Sequence, residues 1–125
     1  MENQKVLILD FGGQYNQLIA RRVRELQVYC EVHPHSMSLE EIRRFDPIGL
    51  IFTGGPESVY EAASPHPDPG VYTLGLPILG ICYGCQLLAQ ALGGQVVAAQ
   101  ADSAREYGKT LTRFDVGCRL FRGLP

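Results

Sequence analysis

Positions 78–86 carry the sequence ILGICYGCQ, and this stretch decides what the rest of the chain is expected to form. The apolar run at 78–81 predicts a short strand that is buried on both faces, as in a parallel sheet. A helical pattern begins a few residues later. Cys82 therefore lies on a sharp turn between a buried strand and a helix, with Gly80 and Gly84 on either side of it.

The helix expected after this turn spans 86–92, where apolar residues recur at helical spacing. Gly93 follows, and glycine is the residue found most often just past the end of a helix. The residues expected to face the interior are Leu87, Leu88, Ala91 and Leu92. A strand followed by a tight turn and a helix is the first part of a strand–helix–strand unit. Folds built from such units have a parallel sheet that is covered by helices.

Strands and helices also alternate upstream of the turn. The predicted elements, in chain order, are a strand at 6–9, a helix at 15–26, a strand at 28–33, a helix at 38–45 and a strand at 48–52. The first helix is expected to bury its apolar residues, which are Tyr15, Leu18, Ile19, Val23 and Leu26. The second begins with a capping box, since Ser38 precedes Glu41 by three positions. This alternation predicts an α/β fold with an open, mainly parallel sheet and helices on both faces.

The remaining segments carry weaker patterns. Four of the eight prolines, at positions 56, 65, 67 and 69, predict a surface excursion of irregular or briefly helical structure. Further strand-like runs lie at 96–98 and 107–114, and positions 117–125 contain no terminating helix or strand. We therefore expect residues 1–125 to form the N-terminal part of a single domain, incomplete at its C-terminal end.

The composition narrows the range of functions. The chain has 125 residues, 46% of them hydrophobic and 19% charged, which fits one globular domain. Its formal net charge of −2 provides no basic surface for nucleic acid. No apolar run reaches the roughly 20 residues of a membrane span, and the N-terminus lacks a secretory pattern. We expect a cytoplasmic protein that binds neither nucleic acid nor membrane.

The turn at Cys82 has the form of a nucleophile elbow, in which a reactive side chain is exposed between a strand and a helix. The helix N-terminus supplies a positive potential that stabilises a thiolate. The backbone N–H of Tyr83, the next residue, is expected to form half of an oxyanion hole. The N–H of Gly55 is the candidate for the other half, because Gly54 and Gly55 follow a strand at the same edge of the sheet.

Other interpretations of Cys82 remain open at this point. Most cysteines are small buried hydrophobic residues, and Cys82 could be one of them. With Cys85 it forms a C-x-x-C, a spacing typical of redox pairs and of half a zinc site. No second C-x-x-C and no spaced pair of histidines follows, so we expect no metal site. Against thioredoxin-type chemistry, three predicted strands precede the motif.

The other cysteines and histidines carry no catalytic pattern. Cys30 and Cys118 are expected in the core or at the surface. His33 and His35 flank a proline in an expected turn, and His66 lies in the proline-rich excursion. All three histidines are expected to be solvated loop residues and not catalytic bases.

Four residues of the turn match the pattern of a known family. Gly80, Cys82, Gly84 and Gln86 fit G-x-C-x-G-x-Q, and in this the chain resembles the class I glutamine amidotransferases, which have a flavodoxin-like α/β fold. Further stretches resemble the GMP synthetase branch of that family, and they lie at 10–15, 18–24, 54–60 and 105–108. These stretches are spread from position 10 to position 108, over most of the length of the chain.

The resemblance implies a reaction and a partner. It implies that Cys82 attacks the side-chain amide of glutamine, releases ammonia and forms a γ-glutamyl thioester that water hydrolyses. Gly55 and Tyr83 would donate to the oxyanion, and Gln86 would help to hold the glutamine. In the GMP synthetase branch, an ATP pyrophosphatase (synthetase) domain or subunit takes the ammonia. This ligase of purine biosynthesis uses ATP and Mg²⁺ to aminate xanthosine monophosphate to GMP, and no cofactor is expected in the present chain.

Two departures from the family pattern modify this expectation. Cys85 stands where the family often has methionine. The family's base and its orienting carboxylate lie on a His-Pro-Glu segment well beyond the elbow, whereas no histidine follows Cys82 in this sequence. We therefore expect these 125 residues alone to be inactive as a glutaminase. The alternative hypotheses are a non-catalytic module that binds glutamine or a synthetase, and a thiol redox protein.

Overall fold

The structure is a computed structural model that describes residues 4–55, 64–96, 113 and 117–122. Its strands are β1 (Lys5–Asp10), β2 (Tyr29–Pro34), β3 (Gly49–Phe52) and β4 (Ile78–Gly80), and its longer helices are α1 (Asn16–Glu25), α2 (Leu39–Phe45) and α3 (Tyr83–Ala91). Short 3₁₀ helices lie at Pro69–Thr73 and Arg119–Phe121. Each strand and helix predicted between residues 6 and 92 is present, and no boundary shifts by more than three residues.

The four described strands form one sheet in the order β2-β1-β3-β4, and all neighbouring pairs are parallel. In the register of β1, Val6 lies opposite both Cys30 of β2 and Gly49 of β3. Phe52 of β3 lies opposite Gly80 of β4. The predicted parallel sheet is confirmed. The carboxyl ends of its strands meet at one edge, which is where open α/β proteins bind their ligands.

The sheet buries apolar side chains on both faces, because alternate residues of a strand point to opposite sides. On one face, Leu9 of β1 belongs to a cluster that includes Ile42 of α2 and Leu87 of α3. On the other face, Ile8 packs in a cluster with Ala20 of α1. Helices therefore cover both faces, as predicted, with α1 on one and with α2 and α3 on the other.

The buried face of α1 differs from the predicted one. Tyr15 and Leu26 are 68% and 76% exposed because they are cap residues outside the helical turns. Leu18 is exposed because it lies about 200° around the helix from Asn16 and Ala20, which are the buried residues. The predicted residues that do pack against the core are Ile19 and Val23.

The helix α3 begins three residues earlier than predicted, with Cys82 as its N-cap. Leu87 is 1% exposed and faces the core, as predicted. The prediction is wrong for Ala91 and Leu92, which are exposed because they are the last helical residue and the residue after it. Gly93 has a φ of +91° and lies just past the helix end, as predicted.

The predicted capping box at the start of α2 is confirmed. The Ser38 hydroxyl accepts a hydrogen bond from the Glu41 N–H at 3.2 Å, and the Ser38 N–H donates to Glu41 Oε1 at 3.3 Å. The backbone bond from Ser38, followed by the one from its hydroxyl, lowers the pKa of Glu41 below its ordinary value. The stabilisation that Glu41 provides is therefore complete above the ordinary pKa of glutamate and is lost as the pH falls through the lowered value.

We expect Ser38→Ala to lower the free energy of unfolding by about 1 kcal/mol, because the substitution removes the acceptor for the Glu41 N–H. Urea unfolding of the chain measures this change. Ser36→Ala is the matched control, since Ser36 is exposed and precedes the helix. The control should change the free energy of unfolding by less than about 0.5 kcal/mol. Equal losses in the two variants would show that the cap is not responsible.

The remaining predictions concern the proline-rich excursion after β3 and the stretches near the end of the sequence. The 3₁₀ helix Pro69–Thr73 is the brief helical structure that the prolines predict. Several other predictions fall outside the described residues, at 56–60, 97–98, 105–108 and 107–112. In the described part of the chain, none of the helices is long and apolar enough to cross a membrane.

Candidate active site

Three loops meet at the carboxyl edge of the sheet, after β1, β3 and β4, and they comprise residues 11–15, 53–55 and 81–82. The turn after β4 is attached to the end of β3 by two backbone hydrogen bonds. The Ile81 N–H donates to Phe52 O at 2.9 Å, and the Gly84 N–H donates to Thr53 O at 3.1 Å. The loops after β3 and β4 therefore keep a fixed position relative to each other.

Cys82 occupies the tip of the turn in a strained backbone conformation. Its φ and ψ are +56° and −113°, a conformation that costs on the order of 1–3 kcal/mol in a residue other than glycine. The residue is exposed and its thiol is free. Its carbonyl accepts hydrogen bonds from the Cys85 N–H at 3.0 Å and the Gln86 N–H at 3.3 Å, so the helix starts directly at the cysteine. An exposed side chain on a residue with a strained backbone, between a strand and a helix, has the geometry of a nucleophile elbow.

The two glycines beside the cysteine allow α3 to approach the sheet closely. A Cβ on Gly84 would lie 2.6 Å from Phe52 Cβ and still closer to Phe52 O. A Cβ on Gly80 would lie 2.7 Å from Gly84 O and 2.8 Å from the backbone nitrogen of Cys85. Since any side chain would overlap these atoms, the turn keeps this shape only with glycine at both positions.

The loop after β3 lies directly against the turn that carries the cysteine. A Cβ on Gly54 would lie 3.5 Å from Cys82 Cβ. A Cβ on Gly55 would lie 2.8 Å from Phe11 O and 3.4 Å from the ring of Tyr83. The structure therefore brings together the cysteine and the two residues that the sequence analysis names as oxyanion donors.

Tyr83 is held in place by its side chain as well as by the helix. The residue is 2% exposed, and its ring centroid lies 5.7 Å from that of Phe11. The Tyr83 hydroxyl donates to Pro65 O at 2.5 Å, which attaches the proline-rich excursion to the site. Phe11 also packs on Phe52 and stacks on His35, each at a centroid distance of 5.5 Å. This aromatic group restrains the residue that follows the cysteine.

The site rests on a buried polar pair that the sequence analysis does not predict. Thr53 is 1% exposed and Asn16 is 6% exposed, and the Thr53 hydroxyl donates to Asn16 Oδ1 at 2.5 Å. The Thr53 hydroxyl also lies 3.1 Å from Leu9 O. Asn16 Nδ2 donates to Gly13 O at 3.1 Å. In the sequence, the one indication is that each residue lies next to a predicted loop. Many other polar residues lie next to loops, so this position does not identify the pair.

Gln86 lies on α3 four residues after Cys82 and is half-buried. The Gln86 N–H donates to the Cys82 carbonyl at 3.3 Å, so Gln86 lies one helical turn from the cysteine. Cys85 is exposed one position before it. Cys30 is a core residue whose thiol donates to a backbone carbonyl of α1 at 3.5 Å, and Cys118 is exposed.

The three histidines make contacts with other groups. His33 lies in β2, with Nε2 2.8 Å from Glu31 Oε1, so the predicted turn is wrong there because the strand continues past it. His35 stacks in the aromatic group described above. In the excursion, His66 Nε2 lies 3.3 Å from Gln90 Oε1.

A separate groove of about 530 Å³ lies beside β2 and α2, and it is not lined by the cysteine. Its walls carry charges of both signs, from Lys5 and Arg44 and from Glu31 and Glu41. Hydrogen bonds from the hydroxyl of Tyr29 and then from the ring of the neighbouring histidine lower the pKa of Glu31. Within the residues that the structure describes, no three His, Cys, Asp or Glu side chains form a group able to hold a metal ion.

The comparison with known families agrees with this geometry. The sequence model of the family described as "Glutamine amidotransferase class-I" matches residues 7–125. The chain therefore belongs to the class-I glutamine amidotransferase family.

Individual relatives of this chain carry the name of one branch of the family. Over 107 residues, 86% of this chain, the sequence is 62% identical to a GMP synthase [glutamine-hydrolyzing] of Heliobacterium modesticaldum, of which it covers 20%. It is 55% identical to the protein of the same name from Caldicellulosiruptor saccharolyticus, covering 100% of this chain and 24% of that one. The chain thus spans about a quarter or less of the length of these curated relatives.

A solved structure is also similar. It is the crystal structure of a Thermoplasma acidophilum protein that is described as a candidate GMP synthase subunit, with a TM-score of 0.80 and 30% sequence identity. The similarity covers 100% of this chain and 61% of that one. The predicted fold class, the α/β fold of class I amidotransferases, is confirmed.

Proposed function

We propose that this chain carries the nucleophile of a glutaminase, which hydrolyses glutamine to glutamate and ammonia. The observation that supports the proposal most directly is the conformation of Cys82, whose φ of +56° holds an exposed thiol at the N-terminus of α3. Proteins maintain such strain where function requires it. Membership of the class-I glutamine amidotransferase family supplies the substrate class.

In the proposed reaction, the thiolate of Cys82 attacks the side-chain amide carbon of glutamine. The N–H groups of Tyr83 and Gly55 would stabilise the oxyanion that forms, since the two residues are neighbours beside the cysteine. Collapse of this intermediate breaks the C–N bond, and the nitrogen leaves as ammonia after it gains a proton. Water then hydrolyses the γ-glutamyl thioester to glutamate and restores the thiol. We propose that Gln86 helps to hold the glutamine, because it lies one helical turn from the cysteine.

The proton transfers need a base that we assign to the full-length gene product. The described histidines contact other groups, and no histidine follows Cys82 in the sequence. Because the chain spans about a quarter or less of the length of its curated relatives, we propose that residues 1–125 are the N-terminal part of a single amidotransferase domain and are inactive alone. Members of a catalytic triad act as a unit, so a thiol without its base loses most of the rate advantage.

We further propose that the ammonia is used by a synthetase domain or subunit that aminates xanthosine monophosphate to GMP. The names of the relatives from Heliobacterium modesticaldum and Caldicellulosiruptor saccharolyticus support this branch of the family. That step would use ATP and Mg²⁺ at the synthetase and not in this chain. A cytoplasmic location follows from the same proposal.

The proposed function predicts a covalent intermediate on one named sulfur. We expect the full-length gene product, quenched in acid during turnover of isotopically labelled glutamine, to carry one glutamyl group on the peptide that contains Cys82. Mass spectrometry of the digested protein measures the label. A labelled peptide that contains a different nucleophile, or turnover without any covalent label, would contradict the assignment.

A further inference from the structure

The end of β3 and the start of α1 are joined by the buried pair of Asn16 and Thr53. Each side chain is more than nine-tenths buried, so the two groups satisfy their hydrogen bonds within the protein. The hydroxyl of Thr53 donates to Asn16 Oδ1, and Asn16 Nδ2 donates to Gly13 O. The Asn16 amide therefore holds both the loop after β1 and the first residue after β3.

The same two loops touch each other through their backbones. A Cβ on Gly13 would lie 2.5 Å from Gly54 O and 2.8 Å from the carbonyl carbon of Gly54. Gly54 in turn faces Cys82, whose Cβ would lie 3.5 Å from a Cβ on Gly54. A shift of the loop after β1 would therefore also displace Gly54 and Gly55, which lie against the turn that carries Cys82. Asn16 does not touch the cysteine in any of these contacts and acts through the loop.

We propose that Asn16 is a positioning residue for glutamine hydrolysis, which fixes the Gly54–Gly55 loop against Cys82 through its bonds to Thr53 and Gly13. This inference rests on the proposed glutaminase function. Backbone donors stabilise an oxyanion only when they are held in place before the charge develops. A displacement of about 1 Å at such a site costs up to about 100-fold in rate.

The test uses the full-length gene product with Asn16→Ala and, separately, Thr53→Val, which keeps the shape of the side chain but removes the hydroxyl. We expect kcat for glutamine hydrolysis to fall about tenfold or more in both variants. The KM for glutamine should change less than about threefold, because the bonds act on the oxyanion donors and not on the bound substrate. Thr53→Ser restores the hydroxyl and should recover most of the rate.

A merely structural role is distinguished by measuring the fraction of folded molecules. Circular dichroism and the urea unfolding curve of the same preparation give that fraction, and kcat is expressed per folded molecule. A structural role would lower the folded fraction and leave kcat per folded molecule unchanged, which would overturn the proposal. If Asn16→Ala is too unstable to purify, Asn16→Asp replaces it, since the carboxylate has the same shape but cannot donate to Gly13 O.

Two controls separate this inference from the function on which it rests. Gln17→Ala changes the exposed neighbour of Asn16 on the same helix and should leave kcat unchanged. Cys82→Ala reports on the proposed function: full hydrolysis in that variant would overturn the glutaminase assignment itself. An inactive Cys82→Ala together with a wild-type kcat per folded molecule in Asn16→Ala would overturn the positioning role alone.

Discussion

Replacement of Cys82 by alanine in the full-length gene product is expected to lower glutamine hydrolysis by about four orders of magnitude or more. The substitution removes the atom that forms the thioester, and no other described nucleophile occupies the tip of the turn. If the proposed synthetase is present, GMP synthesis from added ammonia is expected to continue at the wild-type rate, because added ammonia bypasses the thiol. Measurement of both rates on one preparation shows whether the loss is confined to the glutamine-dependent step.

Cys85→Ser is the matched control for this prediction. Cys85 is also an exposed free cysteine, and it lies one helical turn further along α3. In the proposed mechanism it takes no part, so glutamine hydrolysis should remain at the wild-type rate. A dithiol mechanism would require both sulfur atoms, and an equal loss of activity in Cys82→Ala and Cys85→Ser would therefore support the redox hypothesis and contradict the glutaminase proposal.

The turn around Cys82 could be predicted from sequence because its constraints are local. The spacing of Gly80, Cys82 and Gly84 reflects contacts with the adjacent strand and the first helical turn, and those contacts recur wherever this turn is built. The parallel sheet was equally accessible, since short apolar runs alternated with helical patterns. The start of α3 could not be predicted, because the residues at 83–85 do not show an apolar helical period.

The partners of the site residues could not be predicted, because they depend on strand register and helix phase. Asn16 and Thr53 are 37 positions apart, and they meet only because β1 and β3 are paired with Leu9 opposite Phe52. The exposure of Leu18 is a similar case. The apolar pattern placed it on the inner face, yet the helix turns Ala20 toward the sheet, where a small side chain allows close packing.

Gly84→Ala is expected to lower the free energy of unfolding of the chain by about 3 kcal/mol, near the upper end for an overpacked site. Its Cβ would lie 2.6 Å from both the carbonyl carbon and the Cβ of Phe52, a fully buried residue at the end of β3. These atoms cannot move away alone, because the Ile81 N–H and the Gly84 N–H are bonded to the carbonyls at the end of that strand. Urea unfolding measures the loss.

Gly49→Ala provides the matched control within the same sheet, because a Cβ on Gly49 would meet Pro77 O at 3.5 Å, an ordinary contact distance. Gly49 lies in β3 without a positive φ, so alanine adopts its conformation and also reduces the freedom of the unfolded chain. We expect this variant to remain within about 1 kcal/mol of the wild type. If Gly49→Ala were as destabilising as Gly84→Ala, any added methyl group in this sheet would lower the free energy of unfolding by a similar amount. The close approach of α3 to Phe52 would then not explain why position 84 is a glycine.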